Sequence, residues 1–308
     1  MKNFSGGIYP TMITPYKNGE IDYDTVKILV DWYIEKGCSG IFAVCQSSEM
    51  HYLSLDERVK LAETVVRQAN GRINVIASGH CGNSEAEQLE EAKRISAAGV
   101  DAFILISNRF DIHNDGDDVW LKNAERLVEK IDSGIDLGIY GCPKPYKRLL
   151  TPRILKWCID TGRFKFIKDT CCDPDMLTDR INMLKGSGCL LFNANGQTLL
   201  HSLKAGGAGY SGIMANFHPD ILVWLYNNYK NKPEEAEKLS NVLSMIAFTE
   251  NDAYPGTAKY YLGMENIKMD IYSRSSDCKK VTPYQKLVMK QMYELNNGIR
   301  EYLKNIGD

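Results

Sequence analysis

Lys168 is the residue whose setting most invites chemistry, because it closes an apolar run, Phe166-Ile167-Lys168. Most lysines lie on solvated helix faces. Burial disfavours the charged form, so the pKa falls and the neutral amine becomes a nucleophile toward a carbonyl. The alternative is a salt-bridged lysine, paired with Asp169 or Glu49. Tyr140 ends the preceding apolar run, and a phenol there can pass protons during carbinolamine formation and carbon–carbon cleavage; a rim aromatic is the plainer use. Gln46, Ser47 and Ser48 make a polar turn before Glu49. Its hydroxyls and N–H groups suit a substrate carboxylate, although such residues also build ordinary turns. Ser211 and Arg109 stand at the ends of other runs. Arg109 and Lys147 are basic groups for the charged part of a second substrate, or solvated surface residues.

Short apolar runs of this kind recur at residues 7–14, 40–45, 73–78, 102–107, 137–140, 164–168, 190–193 and 208–214. Their nearly continuous apolar character suits parallel strands covered on both faces. Amphipathic segments lie between them. Residues 23–36 place Val26, Leu29, Val30, Tyr33 and Ile34 at helical spacing and stop at Gly37. Ser54-Leu55-Asp56-Glu57 reads as a capping box, and residues 84–98 run into Gly99. Further helices are expected at 117–131, 152–161, 174–185, 198–205 and 219–229. Eight strand–helix repeats predict a (β/α)8 TIM barrel, in which active sites lie at the C-terminal strand ends. An open doubly wound sheet is the alternative, but no G-x-G-x-x-G follows the first strand. Beyond Met214 the pattern is helical, at 234–249, 257–264 and 283–306. The expected organisation is a barrel over residues 1–230 with a C-terminal helical extension over 231–308 packed on it.

Bulk properties narrow the partners. Hydrophobic residues make up 44% and charged residues 25%, with a net charge of −2, so no polyelectrolyte field favours nucleic acid. No apolar run reaches bilayer length, and residues 1–7 lack a signal-peptide pattern. Nine cysteines include no C-x-x-C pair, which fits reduced, buried thiols in a cytoplasmic protein. Cys45, Cys81, Cys142 and Cys171 fall near strand ends, where a metal or redox cluster is the alternative to inert thiols. His80 reads as a hydrogen-bonded structural histidine rather than a catalytic one. The four aspartates between 111 and 118 lack calcium-loop spacing and read as a loop and helix cap.

Several segments, in order, match a known pattern. Residues 7–16 end in Thr14-Pro15-Tyr16, like an opening strand that ends Thr-Pro-Phe. Cys45-Gln46-Ser47-Ser48-Glu49 falls where that pattern has Gly-Thr/Ser-Thr-Gly-Glu, and Leu53-Ser54 follows. Tyr140-Gly141-Cys142-Pro143 matches Tyr-x-x-Pro, and Ile167-Lys168-Asp169 matches Ile-Lys-Glu/Asp. Gly206-Gly207-Ala208-Gly209, Ala215-Asn216 and the stretch 255–263 with Lys259 complete it. The chain resembles, over nearly its whole length, the pyruvate-dependent class I aldolases typified by dihydrodipicolinate synthase and N-acetylneuraminate lyase. The resemblance implies Lys168 as Schiff-base nucleophile, Tyr140 as proton shuttle and Ser47-Ser48 as carboxylate clamp. It also implies a homotetramer, a 2-oxo acid such as pyruvate with an aldehyde as substrates, and no metal or organic cofactor.

Departures from the pattern bear on the second substrate. Gln46 stands where the synthase has a threonine of its proton relay. Phe110 stands where the relay takes a tyrosine from a neighbouring subunit. Pro145 falls near the arginine that binds the second substrate's carboxylate, and Ser48 replaces a glycine. The expected function is a Schiff-base lyase or aldolase on pyruvate or a related 2-oxo acid, synthase-like with altered second-substrate specificity. The alternatives are an authentic 4-hydroxy-tetrahydrodipicolinate synthase, a lyase of sialic acid or 2-keto-3-deoxy sugar acids, and a non-enzymatic 2-oxo acid binding module.

Overall fold

The computed structural model describes residues 4–275 and 281–307. Eight parallel strands run through it: β1 (Gly7–Ile8), β2 (Gly40–Phe42), β3 (Asn74–Ala77), β4 (Ala102–Ile106), β5 (Leu137–Tyr140), β6 (Phe164–Asp169), β7 (Leu190–Asn193) and β8 (Gly209–Tyr210). They pair in the order β1-β8-β7-β6-β5-β4-β3-β2. The circle is completed between β1 and β2 by a parallel bridge from Thr11 to Phe42, with Phe42 N–H donating to Pro10 O and Met12 N–H to Phe42 O. The fold is the expected TIM barrel with a helical extension. Strands enclosed on both faces need apolar side chains in both directions, and all five residues of β4, Ala-Phe-Ile-Leu-Ile, are buried.

Helices α1 (Tyr23–Glu35), α2 (Leu55–Ala69), α3 (Glu85–Ala97), α4 (Asp117–Val128), α5 (Pro152–Asp160), α6 (Pro174–Leu184), α7 (Leu199–Ala205) and α8 (Pro219–Asn228) follow the strands in turn. The Ser54–Glu57 capping box forms as read, and Ser84 with Glu87 makes a second one. The first and last strands are shorter than expected. Pro10 has no N–H to give a ladder, and after Tyr210 the chain turns into a 3-10 turn at Ile213–Asn216. An unexpected hairpin pairs Tyr16–Lys17 with Glu20–Ile21 through Asn18-Gly19, both at positive φ.

Aromatic rings fill the barrel below its mouth. Phe166 stacks on Phe192 with centroids 4.3 Å apart, and Tyr9 meets Phe192 edge-on at 4.7 Å. Gly40 makes room, since a Cβ there would lie 2.1 Å from the Tyr9 ring. Each such ring contributes roughly 1.5–3 kcal/mol of burial, so the plug is a rigid floor for whatever stands above it.

Helices α9 (Pro233–Ile246), α10 (Gly256–Met264) and α11 (Pro283–Ile306) come last. Asn296 on α11 donates to the Tyr261 hydroxyl (2.8 Å), and Arg300 binds Asp220 on α8 (2.8 and 3.2 Å), fastening this helical layer to the barrel. No helix among the described residues is long and apolar enough to cross a membrane.

Candidate active site

Side chains alternate along a strand, and β6 uses this to separate two adjacent charged residues. Phe166 and Lys168 point into the barrel, while Asp169 pairs on the other side with Arg180 of α6. Arg180 also donates to Leu150 O. Register places Lys168 beside Tyr140 of β5, and its Nζ lies 4.1 Å from the Tyr140 ring centroid and 5.5 Å from that of Phe42. Burial against these rings lowers the Lys168 pKa to about 8, while nearby Cys45 and Cys142 act weakly the other way. Among the described residues no carboxylate lies within ion-pair distance of this amine.

Glu49, the other acid considered for Lys168, is committed elsewhere. It sits in the left-handed region (φ 64°) after the turn that follows β2. Its Oε2 accepts from Ser273 Oγ (2.8 Å), Arg274 N (2.5 Å) and Ser275 N (2.8 Å). Its Oε1 lies 3.7 Å from Lys259 Nζ. Arg274 in turn donates to both Glu57 carboxylate oxygens at 2.9 Å. The segment 272–275 is thereby drawn over the barrel mouth, so that Ser275 lines the cleft.

That cleft, of about 590 Å³, brings together Lys168, Tyr140, Gln46, Ser47 and Arg109. The Tyr140 hydroxyl donates to Gln46 Oε1 at 3.4 Å, and the Cys142 thiol donates to the same oxygen at 3.3 Å. Burial pushes the Tyr140 pKa well above its ordinary value, so the phenol is a proton donor in its resting state. Ser47 Oγ donates to Thr11 Oγ1 (3.1 Å), and the Tyr254 hydroxyl, which accepts from Asn216 Nδ2 at 3.2 Å, stands beside them. The set offers a buried amine, a neutral phenol and a patch of hydroxyls within one cavity. Such a set can form an imine, move its protons and anchor a carboxylate.

Two expected residues stand apart from the cleft. The Ser48 hydroxyl is turned inward, accepting from Cys45 N (2.6 Å) and donating to Cys45 O (2.8 Å), because a short hydroxyl in a turn bonds its own backbone first. Ser211 is buried where its N–H joins Asn193 O, and it does not line the cleft. Lys147 is exposed, and Lys144 lines the cleft instead. Phe110 lies inside its own chain, between His80 (5.2 Å) and Trp120 (5.0 Å), not on a surface from which it could reach a neighbour. His80 is buried, accepts from Ile106 N at 2.9 Å and has its pKa lowered to about 3 by burial. The described residues contain no metal-binding group of His, Cys, Asp and Glu. Cys278 lies outside the described residues. Tyr254, Asn251 and Ser275 were not anticipated. They come from loops around α10, whose apolar periodicity says nothing about the residues between helices.

The model of the dihydrodipicolinate synthetase family matches residues 4–275. The chain belongs to this family. It is therefore a class I aldolase or lyase of the dihydrodipicolinate synthetase kind. The 4-hydroxy-tetrahydrodipicolinate synthase of Methanococcus aeolicus is 26% identical over 303 residues, covering 96% of this chain and 98% of that one. Among solved structures, a prophage protein of the same family from E. coli K12, in complex with pyruvate, superposes with a TM-score of 0.84 at 19% identity, covering 95% of this chain and 98% of that one. CdNal from Clostridium difficile, in complex with mannosamine, gives 0.82 at 18% identity, covering 94% and 99%. At these identities the structural likeness speaks for the barrel alone.

Proposed function

We propose that this dihydrodipicolinate synthetase family member is a Schiff-base lyase or aldolase in which Lys168 attacks the keto carbon of pyruvate or a related 2-oxo acid. The observation that carries the reading is the buried Lys168 amine, with both nearby acids, Asp169 and Glu49, engaged by other partners. Attack by the neutral amine gives a carbinolamine. Tyr140 gives a proton to the departing hydroxyl, water leaves and an iminium forms. In cleavage, Tyr140, deprotonated by the preceding step, takes the proton of the substrate's 4-hydroxyl. The C3–C4 bond breaks, its electron pair flows into the iminium to leave an enamine on Lys168, and the aldehyde departs. In the other direction, loss of a C3 proton gives the enamine, which attacks an aldehyde as Tyr140 returns a proton to the new hydroxyl. Ser47, with Thr11 and Tyr254 behind it, holds the carboxylate.

The second-substrate equipment supports a specificity different from the synthase. Gln46 accepts the Tyr140 proton contact but its amide is a poor proton relay compared with a hydroxyl. Phe110 carries no hydroxyl and is buried in its own chain. Pro145 lines the cleft where the resemblance implies an arginine. The name of the M. aeolicus relative favours a second reading, an authentic 4-hydroxy-tetrahydrodipicolinate synthase. Product analysis with pyruvate and a panel of aldehydes separates the two. A cytoplasmic homotetramer goes with either.

Borohydride reduction with and without pyruvate, followed by peptide mass spectrometry, tests the common core. A pyruvate-dependent reduced adduct is expected on Lys168 and none in Lys168→Ala. No adduct with pyruvate or longer 2-oxo acids removes the reading.

A further inference from the structure

The reaction as derived leaves one buried group beside Tyr140 without a part, the Cys142 thiol. Residues two apart share a face where a strand continues, and Cys142 follows Tyr140 by two at the end of β5. The chain tightens there. Cys142 N–H donates to Tyr140 O at 2.8 Å, and Asn108 Nδ2 donates to Cys142 O at 3.1 Å. The thiol is thereby fixed through its own backbone, and it is buried. It donates to Gln46 Oε1 at 3.3 Å, the same oxygen that the Tyr140 hydroxyl reaches at 3.4 Å. Two donors thus converge on one acceptor. The arrangement suits a neutral phenol. It does not suit the phenolate left when Tyr140 gives up its proton, because that oxygen then faces the lone pairs of Gln46 Oε1 and a buried charge without a donor is costly. The titratable groups facing the phenol are Lys168 on β6, Cys45 after β2, Cys142 itself and Tyr254 before α10. Burial raises the Tyr140 pKa most, and Cys142 and Cys45 add to the rise. Burial also raises the Cys142 pKa, against the pull of Lys144 N–H, Lys168 and Tyr140, so the thiol keeps its proton.

We propose that Cys142 is a positioning residue for the reaction: its S–H turns from Gln46 Oε1 to the Tyr140 phenolate oxygen whenever that tyrosine gives up its proton, and turns back when the phenol re-forms. The proposal rests on Lys168 being the Schiff-base amine and Tyr140 its proton donor. No bond to sulfur breaks. Only the thiol hydrogen moves, by rotation about the Cβ–Sγ bond, and the charge-assisted hydrogen bond it makes holds the phenolate until that oxygen takes the proton of the substrate hydroxyl. Gln46 is the resting partner of both donors and keeps the thiol hydrogen beside the phenol between turnovers. Cys45 has no such part, because its thiol is directed to Met12 O at 3.9 Å.

The test follows exchange of the pyruvate methyl protons in D2O by NMR with the full-length protein, a reaction that needs the imine and the enamine on Lys168 but no aldehyde. Cys142→Val fills the same space without a donor, and Cys142→Ser supplies a hydroxyl in its place. Exchange at saturating pyruvate should slow about tenfold or more in C142V, as loss of a hydrogen bond to a charged group implies. C142S should exchange several-fold faster than C142V. A thiol that merely packs gives the opposite order, since a buried apolar site tolerates valine and penalises a hydroxyl. Placed in Y140F, C142V should slow exchange no further, because the phenolate it serves is gone. C142A reads the same loss where C142V does not fold. Exchange unchanged in C142V, or no faster in C142S than in C142V, overturns the part given to Cys142 and leaves the Schiff base standing. Equal slowing by C142V with and without the Tyr140 hydroxyl does the same. Absence of both exchange and a borohydride adduct with pyruvate in the unsubstituted protein overturns the Schiff-base reading, and the part given to Cys142 with it.

Discussion

Varying the pH between 6 and 11 interrogates Lys168 directly. Burial against Tyr140 and Phe42 brings its pKa from 10.5 to about 8. At pH 7 roughly one amine in ten is then neutral, against roughly one in three thousand for an unperturbed lysine, a gain of roughly 300-fold in nucleophile. Brief pulses of acetic anhydride, with peptide mass spectrometry, report the neutral fraction of each lysine. N-α-acetyl-lysine added to the same samples serves as the reference for an unperturbed amine. Acetylation of Lys168 should rise tenfold per pH unit up to about pH 8 and then level off, while a free lysine amine continues to rise for roughly two further units. The same displacement acts on stability. Below pH 8 the lysine is protonated in both states and the folded state bears the full penalty. Between 8 and 10.5 the folded state releases its proton first, so stability rises with pH, by up to about 3 kcal/mol in all. An inflection for Lys168 that coincides with that of the free amine, at about pH 10.4, would refute the argument from burial.

Two further outcomes follow from the same geometry. Tyr140→Phe keeps the ring that desolvates Lys168 but removes the proton donor. Borohydride capture of pyruvate should slow by about 10²-fold or more, while the Lys168 inflection stays near 8; a shifted inflection with an unchanged rate would assign the tyrosine a packing role only. Glu49→Ala leaves the Ser273, Arg274 and Ser275 donors without their acceptor, at a cost of about 3 kcal/mol. That corresponds to a melting temperature lower by roughly 6–12 °C, and calorimetry showing no change would mean that the segment 272–275 is held by other contacts.

The barrel was legible because its strands are apolar in both directions and its helices are capped and periodic. Lys168 and Tyr140 were legible because a polar residue ending such a strand has to stand at the barrel mouth. The alternation that sends Asp169 toward Arg180 was also within reach, since adjacent strand residues face opposite sides, and it argues against the Asp169 pairing considered at first. The Asn18-Gly19 hairpin carried its own turn signature. Other features had no local signal. Whether the Ser48 hydroxyl faces a ligand or its own turn depends on a rotamer. The inward packing of Phe110 depends on Trp120 in the next helix. The hydrogen bonds from 273–275 to Glu49 span more than two hundred residues and have no periodicity to betray them.

The Glu49 contact also imposes an order of events on the growing polypeptide. The carboxylate leaves the ribosome early, and Ser273, which binds it, follows 224 residues later. A ribosome-bound chain that has already made every barrel strand, Lys168 and Tyr140 included, still lacks the piece that roofs the cleft. Contacts of such long sequence separation form late. Chains released before about residue 275 would therefore carry the nucleophile without its enclosure, and a truncated product would be an open barrel with a wetter, more ordinary lysine.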